Sequence, residues 1–141
     1  MRRKPLLASL ILLLWGTPIQ AQIGQHTINQ REARKLVQGA LVALGENARL
    51  VQIRPWPYYW APGFYTFQAW LPGPGEGDSV LRPFFFAVNP WSGDVWDAMG
   101  CVRITSPAIE KEQELIWRRS RLPNEVRETI RNKAPGCSTN P

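Results

Sequence analysis

One stretch near the middle of the chain constrains the fold most strongly, because it has the pattern of a strand, a tight turn and a second strand. It runs from Pro83 to Val102 and reads PFFFAVNPWSGDVWDAMGCV. An apolar run leads into a turn in which Pro90 presets φ and Gly93 can take the left-handed conformation. The β pattern then restarts at Val95. We therefore expect an antiparallel hairpin at this place.

The segments around the hairpin predict an α+β fold. The predicted elements are a helix over about 30–44 with an Asn29 cap, strands over 49–54 and 64–71, a helix starting at Ser106–Pro107, and a short helix over 124–133. The order is thus a helix, three or four strands and two helices. Strands grouped between helices indicate an antiparallel sheet and not a parallel one.

The phenylalanine-rich strand predicts that both faces of the sheet are covered. Phe84, Phe86 and Val88 would point one way, and Phe85 and Ala87 the other, so apolar and polar residues do not alternate. We expect the first helix to cover one face and the two C-terminal helices to cover the other. The alternative is that the second face binds a partner, but exposed apolar patches are uncommon in soluble monomers.

The first 21 residues have the pattern of a secretory signal peptide. Three basic residues, 2–4, precede an apolar run over 6–15, and Ala21 offers a small residue for cleavage. That run is too short to span a bilayer, which needs about 20 residues. We therefore expect residues 22–141 to form one exported domain, periplasmic or extracellular, with no stable membrane insertion after cleavage.

Charge and cysteine content bear on the classes of partner, on a disulfide and on metal binding. The formal charge of +6 would fall to +3 on processing, since the signal holds three of the 17 basic residues and no acid. A mixed charge of this size gives no reason to expect nucleic acid. Two cysteines in an exported chain predict a disulfide between Cys101 and Cys137. With His26 as the single histidine, we expect no metal site and no other cofactor.

The hairpin and the helix before it resemble the PepSY-like domains of exported bacterial proteins. The family pattern V-[DN]-x-x-[ST]-G-x-V is matched by Val88, Asn89, Ser92, Gly93 and Val95, and Arg31-Glu32-Ala33 stands where the family helix usually begins. The resemblance covers about Thr27 to Asp97. It implies a PepSY-like core over 27–105, a helical extension over 106–141, and a non-catalytic role, often inhibitory toward secreted peptidases. A cone-shaped NTF2-like fold is the second structural candidate.

Catalytic residue sets are not apparent in the sequence. His26 lies in the leader before the first helix, and Ser92 lacks the G-x-S-x-G elbow of a nucleophile. We therefore expect that the protein is not an enzyme, and a small hydrolase is the least favoured reading.

Aromatic residues are the best candidates for binding. The set consists of Trp56, Tyr58, Tyr59, Trp60, Trp70 and Trp91. Such side chains stack on sugar rings or hold a peptide, and the competing reading is that they fill the core. We predict a non-catalytic exported binding or inhibitory module whose partner is a protein, such as a secreted peptidase. The alternative is a carbohydrate- or peptidoglycan-binding protein of the cell envelope.

Overall fold

The computed structural model describes residues 26–57, 61–71, 82–131 and 133–136. Its elements are α1 (Gln30–Ala43), β1 (Gln52–Pro55), β2 (Tyr65–Leu71), β3 (Arg82–Val88), β4 (Val95–Asp97), β5 (Val102–Ile104), α2 (Pro107–Ser120) and α3 (Asn124–Arg131). The strands form one antiparallel sheet in sequence order. The predicted α+β class is confirmed, and β5 brings the sheet to five strands where three or four were predicted.

Local chemistry sets the starts of the two longer helices. The Asn29 side chain accepts from the Glu32 amide at 3.0 Å, and the Glu32 carboxylate accepts from the Asn29 amide at 2.9 Å, which completes a capping box. At α2, the Ser106 hydroxyl accepts from the Ile109 amide at 3.3 Å, and Pro107 occupies the first helical position. Both predicted starts are confirmed. No helix in the described ranges has the length and hydropathy that a membrane span requires.

The predicted hairpin joins β3 to β4. The Asn89 amide donates to the Asp94 carbonyl, and the Gly93 amide donates to the Asn89 carbonyl, each at 2.9 Å. The Asn89 side chain also accepts from the amides of Trp91 and Ser92 within the turn. Gly93 has a φ of 72°, the left-handed conformation that the sequence pattern requires. The strand–turn–strand prediction is therefore confirmed.

Two other parts of the chain are hydrogen-bonded to Asn89 and Pro90 of this turn. The Pro90 carbonyl accepts from the amides of Thr27 and Ile28, just before α1, at 3.0 and 3.1 Å. The Asn89 side chain donates to the Ile130 carbonyl of α3 at 3.3 Å. The turn thus fixes the entry to α1 and the position of α3 relative to the sheet.

Asp94 extends these contacts to α2 and β5. Its side chain is 2% exposed, and its carboxylate lies 2.7 Å from the Arg103 guanidinium of β5. The Ser92 hydroxyl donates to it at 2.7 Å, and the Gln113 carboxamide of α2 donates at 3.1 Å. Burial raises the pKa of the Asp94 carboxyl, while the Ser92 hydrogen bond and the charge of Arg103 act to lower it. Asp94 therefore connects the β3–β4 turn to both α2 and β5.

Both α1 and α2 pack on the same face of the sheet. Residues of α1, of α2 and of the sheet form one core, which includes Leu36, Val37, Ile109, Ile116, Phe67, Phe86, Val88 and Val95. The prediction that the C-terminal helices cover the opposite face is wrong for α2. The physical reason lies in β1 and β2, which present Gln52, Arg54 and Gln68 to that opposite face and so offer no continuous apolar surface for a helix stripe.

Loop residues and aromatic side chains cover the middle of the opposite face. Ala87 of β3 is buried there with Ala61 and Ala98, and Phe85 and Trp96 pack around them half-buried. The β3 strand is therefore apolar on both sides, as its sequence indicates, and in the described ranges α1 and α2 cover one side while loop and aromatic residues cover the other.

The edge strand β1 ends in a proline. In the described residues β1 has a neighbouring strand only on its β2 side. The Trp56 amide donates to the Thr66 carbonyl at 2.8 Å, so the alternation of an antiparallel ladder turns the backbone groups of Ile53 and Pro55 outward. Pro55 has no N–H to present at that margin.

The disulfide between Cys101 and Cys137 remains a prediction. Cys101 lies in the turn between β4 and β5, with a φ of 52°. Cys137 and the signal segment over 1–21 lie outside the described residues.

Glu32 connects the first turn of α1 to α2. One of its carboxylate oxygens lies 2.8 Å from the Arg119 guanidinium, and the other belongs to the capping box. Partial burial acts to raise the pKa of Glu32, but the Asn29 amide and the charges of Arg119 and Lys35 outweigh it, so the pKa is lowered. The ionised carboxylate therefore stabilises the fold above the ordinary pKa of 4.5, and this contribution is lost as the pH falls through the lower folded-state value.

We expect Glu32→Gln to reduce the free energy of unfolding by about 0.5–1 kcal/mol at pH 7, the range for an exposed ion pair and a cap. The difference from wild type should narrow as the pH falls from 4.5 toward 3, because the carboxylate gains its proton through a lowered folded-state pKa. Urea unfolding at both pH values measures it. Glu112→Gln, at an exposed position of α2, is the control and should behave as wild type at both pH values. A gap that stays constant from pH 7 to pH 3 would contradict the assignment.

Candidate functional site

A groove of about 680 Å³ lies on the sheet face opposite α1 and α2. Ile53, Phe67 and Ala69 belong to the helix-covered core, so the residues alternating with them on β1 and β2 point to the groove side. The lining consists of Leu50, Gln52, Arg54, Pro55, Trp56, Pro57, Gln68 and Trp70. It combines two indoles, two carboxamides and one cation.

The register of β1 against β2 brings the central lining residues together. Gln52 stands opposite Trp70, and Arg54 stands opposite Gln68. Directly opposite residues of an antiparallel pair have Cβ atoms about 5 Å apart. The four side chains therefore form a compact block on one face of two neighbouring strands.

Trp56 extends this block beyond the end of β1. Its amide and carbonyl are both bonded to Thr66 of β2, which keeps the chain beside the sheet after Pro55. Its ring packs edge-on against Phe85, with centroids 5.5 Å apart and an interplanar angle of 73°. Trp56 and Trp70 are both half-buried, so each holds a fixed position and still exposes part of its indole.

Gln68 is the unusual residue of the groove. The residue as a whole is 5% exposed, its carboxamide makes none of the hydrogen bonds found among the described residues, and it opens on the groove, where water can reach it. A ligand that offers a donor or an acceptor at this position can take the place of that water.

Arg54 gives the groove a positive charge. Its guanidinium donates to the Gln52 carboxamide at 3.2 Å, which orients it, and none of the ion pairs in the described ranges involves it. No acidic residue is among the lining residues. The guanidinium therefore keeps donors available for an external anion.

The structure brings together two of the six aromatic residues that the sequence singled out. Trp56 and Trp70 line the groove. Trp91 lies in the β3–β4 turn and packs edge-on against His26, with centroids 5.2 Å apart. Residues 58–60, which include Tyr58, Tyr59 and Trp60, lie outside the described residues.

Three polar residues of the groove were not predicted from the sequence. Gln52, Arg54 and Gln68 occur within strands, where a single polar residue usually indicates a solvated face. The available signal was the alternation of side chains along a strand: Gln68 shares a strand face with Trp70, and Gln52 shares one with Arg54. Whether these residues meet depends on the register between the strands, which alternation alone does not give.

The side chains with catalytic potential lie elsewhere. Ser92 is fully buried, with its hydroxyl bonded to Asp94. The His26 ring lies 3.1 Å from the Tyr65 hydroxyl, and neither residue lines the groove. Within the described ranges no three residues of the types His, Cys, Asp and Glu are placed to hold a metal ion. The groove thus presents indole surfaces, carboxamides and a guanidinium, which can make apolar contacts and hydrogen bonds.

Comparisons with known proteins give a relationship at the level of the fold. No family model and no curated protein matches the chain. A chain in the solved structure of a type VI secretion system effector–immunity complex from Pseudomonas protegens matches with a TM-score of 0.56 and 20% sequence identity. The match covers 74% of this chain and 86% of that one. At this identity the likeness concerns the arrangement of helices and strands.

Proposed function

We propose that this protein is an exported, non-catalytic module that binds another protein through the groove on β1 and β2. The observation that carries the proposal is a single groove that combines two half-buried indoles, the Gln68 carboxamide and the Arg54 guanidinium, with no acidic side chain in its lining. Trp and Arg are the residue types most enriched among the residues that dominate protein–protein binding energy. A buried polar group beside them supplies specificity, since a partner without the matching group leaves it unsatisfied.

One likeness in fold and the proposed PepSY-like resemblance support a binding or inhibitory role. The chain resembled in fold belongs to an effector–immunity complex, in which one protein binds another. The proposed PepSY-like core, with a helix on a sheet closed by the β3–β4 hairpin, carries the same implication, because such units often restrain secreted peptidases. We therefore propose that the module restrains a secreted protein, and a peptidase is one candidate class.

The proposal can be tested with the full chain expressed in its native cells. Proteins cross-linked to it in the envelope fraction are identified, purified and titrated against the purified chain by calorimetry. Trp70→Ala should weaken the dissociation constant by a factor of about 30 or more, since truncating a central interface Trp costs about 2 kcal/mol or more. Trp70 is half-buried, so the variant should remain folded, and its melting curve verifies this.

Leu115→Ala is the matched control for this titration. Leu115 is an exposed apolar residue of α2, on the other side of the sheet from the groove, and its truncation should leave affinity unchanged. Equal losses in the two variants would overturn the proposed location of the interface. Failure of every candidate protein to bind in purified form would overturn the function.

Binding of a cell-envelope glycan is the second candidate, and the pairing of two indoles with two carboxamides favours it. Indole faces stack on apolar ring surfaces, and the amides of Gln52 and Gln68 can bond to hydroxyl groups. Sedimentation with insoluble peptidoglycan separates the candidates. Retention that is lost in Trp56→Ala would favour the glycan, and equal retention of wild type and variant would eliminate it.

A further inference from the structure

We infer that the occupant of the groove is an extended segment of the partner protein, which places an acidic side chain on Arg54 and apolar side chains toward Trp56 and Trp70. The inference rests on the proposed function, because it names the chemistry of the partner at the same site. Three features of the groove lead to it: the charge of its lining, the unmet hydrogen-bonding capacity at its base, and the spacing of its rows.

Charge complementarity selects the acid. Arg54 is the charged residue in a lining that otherwise consists of apolar and neutral polar side chains. Its hydrogen bond to Gln52 uses one nitrogen and leaves further donors of the planar fork in a fixed orientation. A carboxylate can accept two parallel bonds from such a fork, a geometry that discriminates strongly against a neutral amide.

Gln68 selects an extended backbone. Its carboxamide carries both donors and an acceptor, and a peptide group presents the complementary N–H and C=O. In a helical segment these backbone groups are already bonded within the helix. In an extended segment they are free, so that conformation can satisfy Gln68 without losing bonds of its own. The outward margin of β1 competes poorly for the same segment, because Pro55 interrupts its donors.

The spacing of the rows defines the order of side chains in the segment. The pairs Gln52–Trp70 and Arg54–Gln68 are successive rows on this face, and Trp56 beside Thr66 forms the next row. Rows two residues apart are about 6.6 Å apart, so the two Trp Cα levels differ by about 13 Å. An extended segment running along the strands would place residues i, i+2 and i+4 over these rows. The expected pattern is an acidic residue with an apolar residue two positions to each side.

The test uses an array of synthetic peptides and the full chain. One series has Leu-Ser-Glu-Ser-Leu flanked by Gly-Ser linkers, and matched series replace Glu with Gln or move the Leu residues by one position. We expect binding to the Glu series to be at least tenfold tighter than to the Gln series, and weaker binding when the spacing changes. Arg54→Gln should abolish the preference for Glu, whereas Arg49→Gln, at an exposed position outside the lining, should keep it.

Gln68→Leu provides a readout that a purely structural residue would not give. Replacing this carboxamide with an apolar side chain of similar size should leave the melting temperature close to that of wild type, because the carboxamide makes no hydrogen bond to the described part of the fold. The same variant should bind the Glu peptides at least fivefold more weakly, because the backbone of the segment loses its partner. An unchanged affinity in Gln68→Leu would overturn the role assigned to this residue.

The outcomes separate this inference from the function on which it rests. If the purified partner protein binds and Trp70→Ala weakens it, but the peptides show no preference for Glu, the inference is wrong and the proposed function stands. If the protein sediments with peptidoglycan and no partner protein binds, both the inference and the proposed function are wrong. A Glu preference that persists in Arg54→Gln would also overturn the inference, since the acid would then be recognised elsewhere.

Discussion

Gly93→Val should lower the free energy of unfolding by about 4 kcal/mol, the sum of backbone strain and overpacking. Gly93 has a φ of 72°, which a β-branched residue adopts only with strain. A Cβ at this position would lie 2.7 Å from the Ile116 Cδ1 atom and 3.1 Å from the Leu36 Cδ1 atom. The substitution therefore pushes α1 and α2 away from the turn that both of them cover.

Gly45→Val separates the two contributions. Gly45 has a φ of 83° but no atom within 4 Å of an added Cβ, so only backbone strain applies there. We expect a loss of about 1–2 kcal/mol for this variant. Thermal and urea unfolding of both variants measure the difference. Equal losses at the two glycines would contradict the close packing of α1 and α2 over the hairpin.

Phe86→Ala should destabilise the fold by about 3–5 kcal/mol, the range for a fully buried phenylalanine. Phe86 is 1% exposed, lies in the core formed with α1 and α2, and stacks on Phe84 with ring centroids 6.1 Å apart. Its removal leaves a cavity between the sheet and the helices that rigid neighbours cannot fill. The midpoint of urea unfolding reports the loss.

Phe85→Ala is the matched substitution on the other face of the same strand. Phe85 is half-buried and packs against Trp56. We therefore expect about half the loss of stability and a lower affinity of the groove for the partner protein. In the folded state, Phe86→Ala should bind partner as wild type does. If Phe85→Ala proved the more destabilising, the helix-covered face would not be the main core.

Elements governed by local chemistry could be predicted from the sequence. The cap at Asn29 is closed by a residue three positions away, and the start of α2 needs only Ser106 and Pro107. The β3–β4 turn likewise depends on residues within it, above all Gly93. In each case the energetically decisive contacts are near in sequence, so a pattern is enough.

The side of the sheet that α2 covers could not be predicted in this way. The apolar stripe of α2 shows that the helix has a buried face, but the same stripe fits either side of a sheet. The choice follows from long-range contacts, such as the hydrogen bond of Gln113 to Asp94 and the packing of Ile116 and Leu36 around Gly93. Local sequence patterns carry no information about such contacts, so the expectation that α2 covers the opposite face was wrong.

The groove shows the same limit at the level of function. Aromatic composition indicated Trp56 and Trp70, whereas their polar neighbours depended on the register that sets Arg54 beside Gln68. Register is fixed by the geometry of the connection between β1 and β2 and by what each face packs against. Neither is a property of the strand sequences alone, so the polar half of the site could be found only from the fold.

Pro55 has a consequence for how copies of the protein behave when they are crowded together. A sheet margin with a continuous row of donors and acceptors is a template on which further strands grow, and this is a route to aggregation. The missing N–H of Pro55 makes β1 a poor template, within a strand of four residues. The half-buried indoles of the groove therefore lie next to an edge strand that disfavours strand pairing between copies of the chain.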